Sequence, residues 1–370
     1  MALYKTLVKK VSISPEKKTK QKDYLAKGQL PIIDQGQQLI GGYSDNLDMQ
    51  LSCNLPVIVF GDHTRAVKYV DFTFGAGADG IKVLEPAEDI YPKFLYYATQ
   101  YLVLRLEDRG YARHYQYIEK KEIDIPSVPE QKQIVARIEE LFSELDNGVE
   151  TLRKTKQQLA VYRQSVLKDT FSGCEKHVSV SSVCTHVTDG DHMPPPKAAS
   201  GIPFIMISNI DGNQIDFSET AFVGRDYYEN IDSKRRPQVG DVLYSVTGSF
   251  GIPVLVDFEK EFCFQRHIAL LRPNDSILSR YLYYAMQYPN VYAQASKGAT
   301  GTAQKTVGLT VLRKIMIPYT ESKSEQEVVV RDIENKMSVC DSIEKTVDTA
   351  LRQAEAMRQS ILKQAFEGRL

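Results

Sequence analysis

The sequence predicts an α+β fold made of two related halves, each a globular domain followed by a long amphipathic helix. Three observations support this: an internal duplication, an apolar heptad in the duplicated segment, and short β-branched runs between turn residues before each copy. Because both helices carry the heptad, we expect them to pair as an antiparallel coiled coil, with an approximate two-fold axis relating the halves.

The duplication consists of matched segments at nearly constant spacing. Residues 127–173 share 17 identities in 47 with residues 322–368, an offset of 195. Chance would give roughly three identities, so the two segments have a common origin. Upstream the offset is 187, where the matches are FLYYATQY at 94–101 with YLYYAMQY at 281–288, and IKVLEP at 81–86 with IALLRP at 268–273.

Both copies of the repeated segment have the signals of a capped helix. Ser127 stands three residues before Glu130, and Ser322 stands three residues before Glu325, which is the capping-box pattern. A glycine closes each segment at the position where a C′ residue is expected. Each segment of about 43–45 residues is roughly 65 Å long if it is fully helical.

Between these caps, apolar residues recur every seven positions, which predicts a helix-pair interface. Copy one has larger residues and copy two several small ones, which favours packing of one helix on the other. The alternative is that each helix covers only its own domain. The predicted interface residues are Ile138, Leu145, Leu152, Leu159 and Val166 in copy one, and Ile333, Val347, Ala354 and Ile361, together with Cys340, in copy two. Companion positions are Ile134, Leu141 and Tyr162, then Val329, Ile343, Ala350 and Met357.

The composition is that of an ordinary globular protein: 42% hydrophobic residues and a formal net charge of −1. No apolar run approaches the roughly 18 residues of a membrane span, so a cytoplasmic protein is expected. Near-neutrality argues against a general polyanion binder. The first 28 residues nevertheless contain eight lysines and only two acidic residues. They form either a solvated face or a patch that contacts phosphates.

The duplicated segment and several loops together resemble one family. The chain resembles the specificity (S) subunit of type I DNA restriction–modification systems over essentially its full length. The resemblance is carried by PEQKQIV at 129–135 and RQSVLK at 163–168 with their second copies, by DQGQQ at 34–38 and FGDH at 60–63, by 188–192 with 201–204, and by GDVLY at 240–244.

This resemblance implies a division of labour along the chain. Residues 1–126 and 174–321 would be target recognition domains, each reading one half of a split double-stranded DNA sequence. Residues 127–173 and 322–370 would be the long helices that fix the distance between the half-sites. Two modification subunits would methylate adenine with S-adenosylmethionine, and restriction subunits would join to cleave; the S subunit itself has no catalytic residues. Domain one lacks the Gly-Ile-Pro-Phe stretch of domain two, so the domains need not correspond position by position.

Polar, turn-rich loops supply the candidate DNA contacts, because Arg, Lys, Asn, Gln, Ser, Thr and His match base edges or phosphates. In the first domain they are Asp62, His63, Thr64 and Arg65 within 61–65, and Arg113, His114 and Tyr115 within 109–115. In the second they are Thr188, Asp189, His192, Ser245, Thr247, Ser249, Gln265, Arg266, Lys297, Thr300, Gln304 and Lys305. For each residue, an ordinary surface or structural role is the alternative.

Other functions have weaker support in the sequence. Cys184, His186, Asp189, Asp191 and His192 carry metal-ligating groups, but their spacing fits no compact zinc site, so no metal is expected. The only run of prolines, 194–196, lacks the Asn/Asp and aromatic neighbours of an adenine methyltransferase motif, and no Walker motif is present. A coiled-coil scaffold that binds proteins without reading DNA remains the alternative function.

Overall fold

The computed structural model describes residues 1–78, 80–107, 110, 112–193, 195–302 and 304–370. The chain forms two compact units. Unit 1 contains Met1–Arg153 and Asp348–Leu370, and unit 2 contains Lys154–Val347. Within the described ranges, no helix is both long and apolar enough to cross a membrane.

Unit 1 is a mixed α and β unit. Its strands are β1 Ala2–Leu3, β2 Val8–Val11, β3 Lys18–Thr19, β4 Leu30–Ile33, β5 Gly42–Ser44, β6 Val57–Gly61, β7 Val67–Val70, β8 Gly75–Gly77, β9 Ile81–Pro86 and β10 Glu122–Ile123. Its helices are α1 Pro92–Leu104, α2 Tyr115–Ile118 and the beginning of α3 Val128–Ser172, with four 3₁₀ turns at Tyr4–Thr6, Pro15–Lys17, Gln21–Asp23 and Leu47–Met49.

Two four-stranded sheets form the body of unit 1. One is antiparallel in the order β2-β9-β6-β7, and the other is mixed in the order β3-β8-β4-β5, with β8 parallel to both of its neighbours. Strand β6 is buried along its whole length, as its continuous apolar sequence requires. Helix α1 packs Phe94, Leu95 and Leu102 into the same core as Phe60.

Unit 2 is also a mixed α and β unit. Its strands are β11 His177–Ser179, β12 Cys184–Asp189, β13 Ile202–Ile205, β14 Ile210–Asp211, β15 Gln214–Ile215, β16 Ala221–Val223, β17 Val242–Ser245, β18 Pro253–Leu255, β19 Cys263–Phe264, β20 Ile268–Pro273 and β21 Met316–Pro318. Its helices are α4 Val180–Val183, α5 Arg225–Asn230, α6 Ser279–Met286, α7 Pro289–Gly298, α8 Leu309–Lys314 and the beginning of α9 Lys323–Phe366, with 3₁₀ turns at Ile207–Asn209 and Ser233–Arg235.

Most strand pairings of unit 2 repeat those of unit 1, although its second sheet, β16-β13-β19, has three strands instead of four and the pair β14/β15 is additional. The order β12-β20-β17-β18 is antiparallel throughout and corresponds to β2-β9-β6-β7. The parallel pair β13/β19 corresponds to β4/β8, and the short pair β11/β21 corresponds to β1/β10. The duplication seen in the sequence is therefore also a duplication of topology.

The two predicted long helices are present as α3, of 45 residues, and α9, of 44 residues. Each copy forms one half of its predicted capping box. In the first, the Ser127 backbone N–H donates to Glu130 Oε2 at 2.9 Å. In the second, the Glu325 N–H donates to Ser322 Oγ at 3.3 Å. Among the closing glycines, only Gly368 has the positive φ (69°) of an αL cap.

Each long helix begins in one unit and ends in the other. In unit 2, the end of α3 places Phe171 against Tyr281 of α6, with ring centroids 5.7 Å apart. In unit 1, the end of α9 places Phe366 against Phe94 of α1, with centroids 5.2 Å apart. These two contacts are equivalent under the offsets of 195 and 187, so the helix of each copy completes the core of the other copy's domain.

Ion pairs give the direction of helix packing within unit 2. Arg163 Nη2 of α3 lies 2.7 Å from Asp341 Oδ1 and 2.9 Å from Glu344 Oε2 of α9. Lys156, one heptad earlier, lies 3.5 Å from Glu344 Oε1, three residues later on α9. A position nearer the start of α3 therefore pairs with a position nearer the end of α9, so the helices are antiparallel here. Supercoiling of the pair stays a prediction.

Unit 1 contains the equivalent contact. Arg358 of α9 pairs with Asp146 of α3, and its guanidinium carbon lies 4.2 Å from the centroid of the Phe142 ring. Arg358 is the repeat of Arg163, and Asp146 is the repeat of Asp341. The duplicated arginine therefore binds the duplicated aspartate twice, once in each unit.

Burial separates the predicted heptad row from its companion row. Within the predicted interface set, Ile138, Leu159, Val166, Ile333, Val347 and Ala354 are buried and Leu145, Leu152 and Ile361 are half-buried. In the companion row, Ile134, Leu141, Val329 and Ala350 are half-buried, whereas Tyr162, Ile343 and Met357 are 49%, 40% and 56% exposed. The fully buried Val135, Phe142, Val330 and Ala365 follow heptad positions by four residues instead of three.

This burial pattern predicts different costs for two isoleucines of α9. Ile333→Ala removes a side chain that is 0% exposed and belongs to the unit 2 core, so the free energy of unfolding should fall by about 2–5 kcal/mol. Ile343→Ala, ten residues later, should cost less than about 1 kcal/mol because that side chain is 40% exposed. Urea unfolding of both variants measures this difference, and equal costs would contradict the assigned helix face.

Candidate nucleic-acid interface

The polar loops of unit 2 leave one edge of its four-stranded sheet. Strand β20 lies between β12 and β17 and is antiparallel to both. The carboxyl ends of β12 and β17, at Asp189 and Ser245, therefore lie at the same edge as the amino end of β20 at Ile268. Three of the loops selected from the sequence meet there.

Backbone hydrogen bonds join the loops after β12 and before β20. Asp191 N–H donates to the Phe264 carbonyl at 3.3 Å, and Arg266 N–H donates to the Asp191 carbonyl at 3.2 Å. Gly190 is required at this crossing, because a Cβ there would lie 2.0 Å from the Phe264 oxygen. Tyr227 donates its hydroxyl to Asp191, and burial, followed by that carboxylate, raises the pKa of Tyr227, so the phenol stays protonated.

A fourth loop, between α7 and α8, is attached to the loop after β17. Val246 N–H donates to the His267 carbonyl at 2.9 Å, Gly248 N–H to the Lys305 carbonyl at 3.0 Å, and Val307 N–H to the Val246 carbonyl at 2.8 Å. The loop that contains Thr300, Gln304 and Lys305, which follows Lys297 in the last turn of α7, is thereby held against the same sheet edge.

Together these loops enclose a cleft of about 340 Å³. The residues that line it come from all four loops and include Asp189, His192, Thr247, Arg266, His267, Gln304 and Thr306. Residues separated by more than 100 positions in the sequence are thus collected at one surface. We refer to this surface as the unit 2 cleft.

Charge in the unit 2 cleft is arranged around Asp189. His192 Nε2 lies 2.9 Å from Asp189 Oδ2, and Arg235 Nη2 lies 3.8 Å from Asp189 Oδ1. The carboxylate thus lies beside two basic side chains. Arg266, which lines the same cleft, is exposed. The cleft therefore offers basic and amide groups to a ligand, while its acidic group is already engaged.

Not every residue selected in the second domain is accessible. His192, Ser249, Arg266, Lys297, Thr300, Gln304 and Lys305 are exposed, and Thr188, Asp189 and Gln265 are half-buried. Ser245 is 0% exposed; its hydroxyl donates to the Ser249 carbonyl and accepts from Ile252 N–H, both at 2.8 Å. Thr247 is 6% exposed and accepts from Thr306 Oγ1 at 3.3 Å. We assign these last two a structural role in holding the loops.

In unit 1 the two selected segments come together through Asp62. Its carboxylate accepts from Tyr115 N–H at 2.9 Å, and its carbonyl accepts from His114 N–H at 2.8 Å. Lys82 Nζ lies 3.6 Å from the same carboxylate. Asp62, His114 and Tyr115 are 4%, 1% and 3% exposed, so we assign them to loop support instead of DNA contact.

The accessible groups of the first domain lie around the tight turn after β6. Arg65 closes this turn with a positive φ of 62°, which is uncommon outside glycine. His63 Nδ1 lies 3.2 Å from the Ala112 carbonyl and is half-buried, as is Arg65. Thr64 and Arg113 are exposed. Arg109 and Tyr111 of the selected segment lie outside the described residues.

Gln37 of unit 1 was missed as a candidate contact by sequence reasoning. The loop after β4 places the exposed Gln37 so that its amide donates to the Thr64 carbonyl at 3.5 Å. Lys68, 5% exposed, fixes this loop by donating to the Asp34 carbonyl at 2.8 Å, and burial lowers the pKa of Lys68. In unit 2, His267 lines the cleft beside Arg266. The signal for Gln37 was the DQGQQ segment, whose glutamines suit adenine edges.

Metal-ligating side chains do not gather near this surface. Throughout the described residues, no group of three or more His, Cys, Asp and Glu side chains could hold a metal ion. Cys184, which stands near His186 and Asp189 in the sequence, is buried, and this burial raises the pKa of its thiol to about 12. Its environment is therefore that of a core residue.

Both halves of the sequence match a known family. The model of the type I restriction modification DNA specificity domain matches residues 10–159 and 193–353, one region in each copy of the repeat. These matches cover well over half of the sequence. The chain belongs to this family, which confirms the resemblance read from the duplicated segment.

Curated relatives include specificity subunits from Escherichia coli. The chain is 23% identical over 278 residues to the EcoBI specificity subunit, covering 67% of this chain and 58% of that protein. It is 24% identical over 277 residues to the EcoKI specificity subunit of strain K12, covering 67% and 57%. The matches thus span somewhat over half the length of these relatives.

Solved structures share the fold at low identity. A chain from a structure concerning complex assembly and conformational transition of the type I R-M system superposes with a TM-score of 0.68 at 16% identity, covering 92% of each chain. The HsdS subunit from Thermoanaerobacter tengcongensis gives a TM-score of 0.50 at 16% identity, covering 100% of this chain and 96% of that one. Both support the α+β architecture with two similar domains.

The loop crossing predicts a local steric effect. Gly190→Ala should lower the free energy of unfolding by about 1–3 kcal/mol, because its new methyl group would overlap the Phe264 carbonyl and force the two loops apart. Gly173→Ala is the matched control, since no atom lies within 4 Å of its added carbon. Denaturant unfolding compares the two variants, and a Gly190→Ala protein as stable as the control would show that the crossing is wrongly described.

Proposed function

We propose that this protein is the non-catalytic, sequence-specific DNA-recognition subunit of a type I restriction–modification complex, with one half of a split target read by each unit. The observation that carries the proposal is the unit 2 cleft. Four loops from distant parts of the sequence present exposed Arg266, His192 and Gln304 beside one another. Side chains of this kind, held by backbone bonds at a sheet edge, suit recognition of base edges.

In this proposal, some side chains contact the bases and others contact the phosphates of the DNA. Arg266 is assigned to a guanine, which offers two acceptors in the major groove, and Gln304 to an adenine. The exposed Lys297, in the last turn of α7, and the exposed Lys305, in the loop that follows, are assigned to phosphates. His192 is the adaptable partner, oriented by Asp189.

Unit 1 is proposed to read the other half-site through a smaller set of groups. Arg113 and Thr64 are exposed, and Gln37 presents an amide beside Thr64. Of the lysines near the chain start, Lys9 pairs with Glu85 and Lys10 with Glu119. The exposed Lys20, Lys22 and Lys27 are the better candidates for phosphates.

The catalytic partners are part of the proposal. Two modification subunits, which would bind S-adenosylmethionine, and restriction subunits would assemble on the paired helices α3 and α9. The duplication supports this, because two equivalent helical segments offer two equivalent binding surfaces. A net charge of −1 is consistent with partners that supply much of the attraction to DNA.

Arg266→Ala tests the proposed reading of the second half-site. In complex with modification subunits, the variant should methylate DNA with one base of that half-site relaxed and lose discrimination there by roughly 10–100-fold, the value of one good bidentate contact. The first half-site should be unaffected. Sequencing of methylated positions in a random DNA library measures both.

Arg225→Ala is the matched control for the loss of one positive charge. Arg225 is exposed in unit 2 but pairs with Glu261 at 2.9 Å, away from the cleft. It should leave the methylated sequence unchanged. An equal loss of methylation on all sequences in Arg266→Ala would mean a phosphate contact, and wild-type complexes that methylate without sequence preference would favour a protein-binding scaffold.

A further inference from the structure

Each long helix begins with a completely buried glutamine. Gln131 and Gln326 are both 0% exposed and are equivalent under the offset of 195. Both stand one heptad before a buried isoleucine, Ile138 and Ile333, so they occupy the first position of the apolar row. A polar side chain at such a position is expected only where its hydrogen bonds are satisfied.

The first glutamine connects the segment before α1 to the segment before α3. Gln131 Oε1 accepts from Tyr91 N–H at 2.7 Å, and its Nε2 donates to the Asp89 and Pro126 carbonyls, both at 3.0 Å. Tyr91 is the N-cap of α1, and Pro126 precedes α3. We refer to these contacts as the first glutamine junction.

The second glutamine makes the same three bonds in unit 2. Gln326 Oε1 accepts from Leu278 N–H at 2.8 Å, and its Nε2 donates to the Ser276 carbonyl at 3.0 Å and the Thr320 carbonyl at 2.8 Å. Leu278 is the N-cap of α6, which is the repeat of α1. These contacts form the second glutamine junction.

The atoms that Gln131 and Gln326 bind explain why both copies have this junction although the two domains differ in sequence. All six bonds go to backbone atoms, and the residues that supply them differ between copies: Tyr91 against Leu278, Asp89 against Ser276, and Pro126 against Thr320. The glutamine can therefore attach the long helix to a domain of this backbone shape whatever its side chains.

An ion pair lies beside each junction, and it involves the glutamate eight residues after each glutamine. Lys93 of α1 lies 2.7 Å from Glu139 of α3, and Arg280 of α6 lies 2.7 Å from Glu334 of α9. Hydrogen bonds and ion pairs are directional, unlike apolar contacts. Two directional contacts between the same pair of helices fix the angle at which they cross.

We infer that Gln131 and Gln326 are positioning residues for DNA reading: each fixes the direction in which a recognition domain leaves its long helix, and together they define the gap at which the two half-sites are accepted. This inference rests on the proposed function, in which each unit reads one half-site. The number of base pairs accepted between the two half-sites is thus set by the junctions as well as by helix length.

The test uses the full chain in complex with modification subunits, and DNA substrates whose half-sites are separated by the preferred gap or by one or two base pairs more or fewer. Gln131→Leu and Gln326→Leu keep the side-chain size and remove all three bonds. Each should lower the preference for the correct gap roughly tenfold or more, while discrimination of bases within each half-site is retained. Methylation rates across the substrate set measure both quantities.

Gln133→Leu is the control. Gln133 is an exposed glutamine two residues along α3, and the equivalent position in α9 is already the apolar Val328. It should leave the gap preference at its wild-type value. If either junction variant loses methylation equally at every gap, the glutamine is merely structural and the inference is overturned.

A milder pair of variants covers the case in which loss of a junction prevents folding. Glu139→Gln and Glu334→Gln weaken the neighbouring ion pairs, which are partly exposed, and should broaden the accepted gap by a smaller factor. An unchanged gap preference in both would overturn the inference. A wild-type complex without preference for any half-site sequence would instead overturn the proposed function.

Discussion

Antiparallel packing of the duplicated helices is the constraint on which the rest of the molecule depends. Each helix begins on its own domain, through a buried glutamine, and ends in the core of the other domain, through Phe171 or Phe366. The repeated arginine binds the repeated aspartate in each unit, as Arg163 with Asp341 and Arg358 with Asp146. Neither unit has a complete core without a segment from the other copy. The helices were therefore retained as a matched pair, because a change in one alters contacts in both units.

The domains are free to diverge because their contacts with the helices are made mostly through backbone and core. In unit 2 the loops at the sheet edge are held by bonds such as Val246 N–H to the His267 carbonyl, which do not depend on side-chain identity. Exposed side chains such as Arg266 and Gln304 can change without loss of the fold. A constant pair of helices with variable loops is what a protein needs if it is to recognise new target sequences.

The sequence predicted the two long helices better than it predicted which residues are accessible to DNA. Seventeen identities and a seven-residue period reveal two long helices, because those signals are local and repeated. The row beside the heptad was only partly right, since whether the third or the fourth residue after a heptad position is buried depends on how the domain packs against the helix. Burial of Asp62 and Thr247 could not be foreseen, because their partners, Tyr115 and Thr306, lie more than 50 residues away. Gln131 and Gln326 stand within the copied segment, but their bonds reach 40 and 48 residues back along the chain, which no local pattern shows.

Exchange of the second recognition domain tests the central claim most directly. Residues 174–321 would be replaced by the corresponding segment of another specificity subunit, with both long helices left intact, and the methylated sequence determined by methylome sequencing in cells that also contain the partner subunits. Two independent readers on one frame predict that one half of the methylated sequence changes, while the other half and the gap between them are preserved. A change in both halves, or in neither, would contradict the account.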